Sequence, residues 1–161
     1  MKTTTSTALT VAGFDPSGGA GLQADLKTFS AFGVSGKSVA TSITIQNTAG
    51  VLGAHDISPE IVERQLKVIL EDGKPGAVKI GMLGNELIIK TLVRLLRRYR
   101  IKKLVVDPVI YSSSGKSLLS PQGLQVMKKE LLPITFLLTP NLNEAEILSG
   151  VKIKSASDRI R

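Results

Sequence analysis

No cysteine occurs in the 161 residues, and histidine occurs once, as His55. Without cysteine there is no disulfide, no thiolate metal site and no cysteine nucleophile. One histidine cannot make a zinc-binding histidine cluster. Aromatic residues make up 4% of the chain, fewer than the stacking platforms of single-strand nucleic-acid binders call for. No apolar run approaches the roughly 20 residues of a membrane span. The opening MKTTTST lacks the apolar core of a secretory signal. A cytoplasmic protein with no membrane partner is the default expectation.

The chain length suits one domain with a sizeable core. Formal net charge is +8, which raises the question of nucleic acid. Much of the excess is Lys90, Arg94, Arg97, Arg98, Arg100, Lys102 and Lys103. Leu92, Val93, Leu95 and Leu96 run between these charges, so the cluster reads as a solvated helix face. Its basic end suits a helix C-terminus. With only Tyr99 nearby for stacking, no nucleic-acid partner is expected.

The rest is organised around Leu9 to Asp25, LTVAGFDPSGGAGLQAD. Leu9, Val11 and Ala12 form a buried strand that ends at Gly13. Asp15-Pro16-Ser17-Gly18-Gly19-Ala20-Gly21 then supplies turn formers whose glycines allow close backbone approach. Such a loop before a helix is expected to leave free N–H groups aimed at one spot, where an anion could sit. In the helix that follows, Leu22, Leu26, Phe29, Phe32 and Gly33 share one sector. Asp25 lies inside that apolar sector, where a carboxylate needs a partner. It either caps a neighbouring turn or meets a polar ligand at the mouth of the loop, and residue chemistry favours the ligand.

Downstream, strands and helices alternate. Lys37–Ile45 is a β-branched strand that ends in the polar loop Gln46–Gly50. Ser58 and Pro59 start a helix with Ile61, Val62, Leu66 and Ile69 on one face. Ala77–Ile80 is a short strand, Asn85–Arg100 a helix and Lys103–Val106 a strand. Ser120-Pro121 opens a helix to about Leu131, Phe136–Leu138 is a strand, and Leu142–Leu148 is a helix closed by Gly150. Parallel pairing with right-handed crossovers follows, hence a three-layer α/β/α sandwich over a mostly parallel central sheet. Open sheets of this kind bind ligands at the carboxyl ends of their strands. There stand the Gly13–Gly21 loop, Gln46, Met82, Asp107, and Asn141 running on to Glu144. Asp107 and Glu144 together offer two carboxylates to Mg²⁺, which takes oxygen ligands and keeps several waters. Gly115-Lys116-Ser117 fails as a P-loop, because Ile110 stands where the pattern needs glycine. Gly19–Ala24 fails as a dinucleotide fingerprint, because no acidic residue lies in Val39–Thr44.

AGFDPSGGAGLQADLKTF, TSITIQNTAGV, AVKIGMLG, VVDPVIYSSSG and LLTPNLNEAEILSG resemble the hydroxymethylpyrimidine/phosphomethylpyrimidine kinases of thiamine biosynthesis. These belong to the ribokinase-like superfamily. The resemblance runs from about Ala8 to Gly150 and implies a single ribokinase-like domain over 1–161. It implies ATP-dependent phosphorylation of 4-amino-5-hydroxymethyl-2-methylpyrimidine and then of its monophosphate, with ATP and Mg²⁺ as cofactors. Position by position, Asp25 and Gln46 match residues that hydrogen-bond the aminopyrimidine. Gly13 matches a close-approach glycine, and Met82 an apolar residue beside the ring. Asp107, Asn141 and Glu144 match the magnesium and phosphate region, with the Glu144 carboxylate acting through water. Relatives carry lysine or threonine where Ser113 stands, which weakens any phosphate contact there. They also continue past the end of this sequence to a glycine-rich anion-hole loop, so no catalytic residue is assigned and the fold is expected to be incomplete at its C-terminal end. The resemblance leaves room for a homodimer. It also leaves two alternatives, a non-catalytic pyrimidine-binding or regulatory module or inactive fragment, and a pyridoxal-type vitamin kinase.

Overall fold

The structure, a computed structural model, describes residues 6–155 and 158. A six-stranded sheet has the order β3-β2-β1-β4-β5-β6. Its strands are β1 (Thr7–Phe14), β2 (Ser35–Asn47), β3 (Gly50–Asp56), β4 (Ala77–Ile80), β5 (Leu104–Val106) and β6 (Leu137–Leu138). All neighbours are parallel except β2 and β3, which form an antiparallel hairpin. The helices are α1 (Gly21–Ala31), α2 (Pro59–Asp72), α3 (Glu86–Arg98), α4 (Pro121–Val126) and α5 (Leu142–Ser149). A π-turn over Met127–Leu131 and a 3₁₀ turn over Leu132–Ile134 extend α4. The chain is thus the expected three-layer α/β sandwich.

Helix starts follow the sequence closely. Ser58 accepts the Ile61 N–H, Asn85 those of Leu87 and Ile88, and Ser120 that of Gly123. These are side-chain N-caps, and at α2 and α4 a proline follows at the first helical position. Helix α1 packs on β1 and β2, while α2 packs on α3 and α3 on α4. The main core lies under that second group: Leu9, Val11, Ile80 and Leu104 of the sheet meet Val62, Leu66, Ile88, Leu92 and Leu96 of the helices. The crossover through α1 carries the chain from β1 to β2, whereas those through α3 and α4 run from β4 outward to β5 and β6. The direction reverses between β1 and β4, and a crevice opens there at the strand ends.

Three local expectations need correction. Gln46–Gly50 is not simply a loop, because β2 runs to Asn47 and Gly50 begins β3. Phe32 does not join the apolar sector of α1. The helix ends at Ala31 and Phe32 becomes its C-cap, 81% exposed. Ile61 is exposed as well; α2 buries Val62, Leu66 and Leu70 instead. At the far edge, Phe136 and Leu137 are exposed beside the unpaired side of β6.

Candidate active site

The site begins where β1 stops being regular. Its register with β2 shifts between Ala12 and Gly13, which turns the strand end out of the sheet. A Cβ on Gly13 would lie 2.9 Å from the Met82 sulfur. One on Gly21, where φ is +57°, would lie 2.2 Å from the Gly13 carbonyl oxygen. Only glycine allows the loop to fold back so closely onto its own strand.

The loop between them does not wait for an outside anion. Asp15, itself buried, accepts the Ser17 N–H and hydroxyl on Oδ1 at 2.8 and 2.7 Å. Its Oδ2 accepts the N–H groups of Gly19 and Ala20 at 3.0 and 2.8 Å. Gln23 in turn accepts the Asp15 N–H at 3.0 Å. The expectation of free loop N–H groups is therefore overturned: an internal carboxylate occupies the nest. Burial pushes the Asp15 carboxyl up, but the bonds from Ser17, Ala20 and Gly19 outweigh it and hold the group below its ordinary value.

Beside this loop a cavity encloses about 530 Å³, its open mouth included. Gly13, Thr44, Gln46, Lys79, Met82, Asp107, Val109 and Leu118 line it. Of the seven residues expected at the site, Gly13, Gln46, Met82 and Asp107 meet here. The Gln46 amide makes no hydrogen bond among the described residues, so it is available to a ligand with both a donor and an acceptor. Thr41 donates to the Met82 carbonyl at 2.6 Å and Thr44 to that of Phe14 at 2.9 Å. These bonds tie β2 to the end of β1 and to the segment that follows β4.

Asp25 stands beside the cavity rather than in its lining. Its Oδ2 accepts the Thr10 hydroxyl at 2.5 Å and the Lys79 ammonium at 3.0 Å. Lys79 also lies 3.7 Å from an Asp107 oxygen, so one cation links the two carboxylates. Asp107 is raised above the ordinary carboxyl value, first by burial and also by the charge of Asp25, against the opposing pull of Lys79. Lys79 escaped the sequence reading. Its signal was a charged residue inside a four-residue strand whose flanking Val78 and Ile80 are wholly buried. Period-two alternation sends Lys79 to the opposite face of the sheet, where it needs an anionic partner.

Asn141 and Glu144 do not line the cavity. Asn141 caps α5 by accepting the Glu144 N–H at 2.9 Å, and Glu144 accepts the Asn141 N–H at 2.9 Å. This reciprocal capping box buries Glu144. Among the described residues, no three acidic or histidine side chains gather into a ready metal cage.

Residues 15–161 match the sequence profile of a family described as phosphomethylpyrimidine kinase. A hydroxymethylpyrimidine/phosphomethylpyrimidine kinase of Aquifex aeolicus is 46% identical over 151 residues, which cover 94% of this chain and 59% of that protein. The crystal structure of a phosphomethylpyrimidine kinase from Clostridium difficile 630 superimposes with a TM-score of 0.89 at 48% identity. That match covers 96% of this chain and 67% of the other. A pyridoxal kinase from Staphylococcus aureus, solved with AMP-PCP and pyridoxal, gives a TM-score of 0.83 at 37% identity, over 97% of this chain and 56% of its own. The chain spans a little over half the length of the curated bacterial relatives it matches.

Proposed function

The chain belongs to the phosphomethylpyrimidine kinase family, and on that premise we propose that it serves ATP-dependent phosphorylation of 4-amino-5-hydroxymethyl-2-methylpyrimidine and of its monophosphate. The observation that carries this reading is one cavity at the crossover reversal, lined by Gly13, Gln46, Met82 and Asp107. The bare backbone of Gly13 and the apolar, adaptable side chain of Met82 suit an aromatic ring. The unpartnered Gln46 amide suits an edge that both donates and accepts. Asp25 reads the amino group from the side of α1.

Asp107 lines the same cavity, joined to Asp25 through Lys79, and is the carboxylate that would meet a nucleotide beside the hydroxymethyl group. Mg²⁺ is commonly held by one or two carboxylates with the rest of its shell from water and phosphate oxygens. Asp107, the carboxylate in the lining, fits that pattern better than a closed protein cage would, and Glu144, which caps α5 outside the lining, would act on the ion only through water. ATP supplies the phosphoryl group, and Mg²⁺ neutralises charge on its oxygens. This chain's own part is to bind the ring, orient the hydroxymethyl oxygen and place Asp107 beside the phosphates.

The test is incubation of the chain with the pyrimidine and Mg-ATP, followed by phosphorus NMR. A new phosphomonoester signal that depends on both substrates is the expected result. Absence of the signal with the pyrimidine still bound would leave this chain the binding role alone. Phosphorylation of pyridoxal in preference to the pyrimidine would overturn the substrate assignment.

A further inference from the structure

Asp56 ends β3 outside the cavity lining, and its two carboxylate oxygens serve two different parts of the chain. Oδ1 accepts the hydroxyl of Ser42 on β2 at 2.6 Å, and Oδ2 accepts a side-chain N–H of Asn85 at 2.7 Å. The Asn85 amide is fixed in this orientation, because its own oxygen accepts the Leu87 and Ile88 N–H groups at the start of α3. The segment Met82–Asn85 between β4 and α3 is therefore held against the β2–β3 hairpin at both ends. Thr41 donates to the Met82 carbonyl at 2.6 Å, and Asp56 takes Asn85. Gly84 makes the close approach possible: its φ is +76°, and a Cβ there would overlap the Asp56 carboxylate. The Gly84 carbonyl also accepts the Ser120 N–H at 2.8 Å, which draws in the stretch that follows Leu118 of the cavity wall.

We propose that Asp56 is a positioning residue of the site, clamping the Met82–Asn85 segment to the β2–β3 hairpin and so setting where Met82 stands relative to Gln46. The inference rests on the pyrimidine reading of the cavity and adds a residue, outside the lining, that holds two of its walls together. The hairpin carries Gln46 and the clamped segment carries Met82. A ring that must meet both at once binds less tightly when the two walls can part, because their ordering is then charged to the binding step. Ser42 is wholly buried, and without Asp56 its hydroxyl loses its acceptor. Asparagine can take the place of the carboxylate. Its carbonyl oxygen accepts from Asn85, while its amide N–H donates to the Ser42 hydroxyl, which accepts as readily as it donates. Alanine can do neither.

The experiment compares the full parent chain with Asp56→Ala and Asp56→Asn, all well below their unfolding temperatures. The readouts are carbon-13 methyl-methionine NMR and calorimetric titration with the pyrimidine. Met82 lines the cavity and Met127 is wholly buried in the core, so one methyl reports the site and the other the packing of the fold. In Asp56→Ala the Met82 signal should shift or broaden while the Met127 signal stays in place, and affinity should fall about tenfold. Asp56→Asn should match the parent in both readouts. A residue that only held the fold together would move Met127 as well, and that result overturns the proposal. So does a folded Asp56→Ala with either the parent's Met82 signal or the parent's affinity, and so does an Asp56→Asn that behaves as Asp56→Ala does. Should Asp56→Ala not fold, Ser42→Ala breaks the hairpin side of the clamp alone, and an unchanged Met82 signal there overturns the proposal. The Met82 signal is read without ligand. A parent that binds no pyrimidine therefore overturns the reading of the cavity, while a shift confined to Met82 in Asp56→Ala still supports the clamp.

Discussion

Asp15 Oδ2 accepts the Ala20 N–H at 2.8 Å across five residues of chain, and this bond closes the loop that leads into α1. The loop is held by its own carboxylate, so its shape precedes any ligand. Asp15→Ala should cost about 2–4 kcal/mol, because charge-assisted bonds to Ser17, Gly19 and Ala20 vanish together. Because its folded value is depressed, Asp15 contributes stability that is complete above its unfolded value. That stability is lost as pH falls through the lower folded value. Urea midpoints of the parent and of Asp15→Asn should therefore differ at neutral pH and converge as pH falls through the depressed folded value.

Glycine positions separate folding from binding. Gly21→Ala combines a positive φ with a Cβ set 2.2 Å from the Gly13 carbonyl oxygen. It should destabilise by about 3 kcal/mol or more, visible as a lower unfolding temperature. At Gly13 the nearest atom is the Met82 sulfur at 2.9 Å, on a flexible side chain that can give way. Gly13→Ala should fold and yet bind the pyrimidine about tenfold less tightly. Full affinity in that variant would remove the ring from above Gly13.

The capping box at α5 offers a sharper separation. Asn141→Ala should cost about 1 kcal/mol through the lost cap. Glu144→Gln keeps a side-chain acceptor for the Asn141 N–H and should change stability by less than about 0.5 kcal/mol. If Glu144 also serves Mg²⁺ through water, Glu144→Gln weakens Mg²⁺-dependent nucleotide binding in calorimetry. Identical Mg²⁺ dependence in parent and variant would confine Glu144 to the cap.

Asp107 carries the opposite pH signature from Asp15. Its folded value is raised, chiefly by burial, so its charged form is disfavoured in the folded chain. Such a group detracts from stability as pH rises through the raised window, and detracts nothing below its unfolded value. Lys79 and Asp25 are the charges that face it. Asp107→Asn should unfold at a higher temperature than the parent near neutral pH, and the difference should disappear below about pH 4. The same substitution should weaken Mg²⁺-nucleotide binding, so the site holds a group that the unliganded fold would be steadier without.

The strand–loop–helix from β1 to α1 was legible because its apolar run, turn residues and helical spacing each carry a local signal. The α5 cap was written in the sequence too, since Asn141 followed three positions later by Glu144 spells a capping box, but the sequence reading gave both residues to magnesium and phosphate. The hairpin strand β3 was not legible. Gly50–Asp56 lacks clean alternation, contains Gly53 and exposes Leu52, so its backbone pairing with β2 defines it. The Asp15 nest was visible only as turn composition, although an aspartate opening a turn of small residues bonds its own following N–H groups. Thr10 and Lys79 were silent because each lies on a separate strand. Their meeting at Asp25 depends on β1 and β4 being neighbours, a tertiary fact that no local window holds.

The most direct measurement is a calorimetric titration of the chain with 4-amino-5-hydroxymethyl-2-methylpyrimidine, beside the Gln46→Ala variant. The Gln46 side chain contributes an amide to the cavity and makes no hydrogen bond among the described residues. The parent should therefore bind one ring per chain, and the variant should stay folded while affinity falls about tenfold or more. No binding by a folded parent, or equal affinity in the two, would contradict the assignment of this cavity to the pyrimidine.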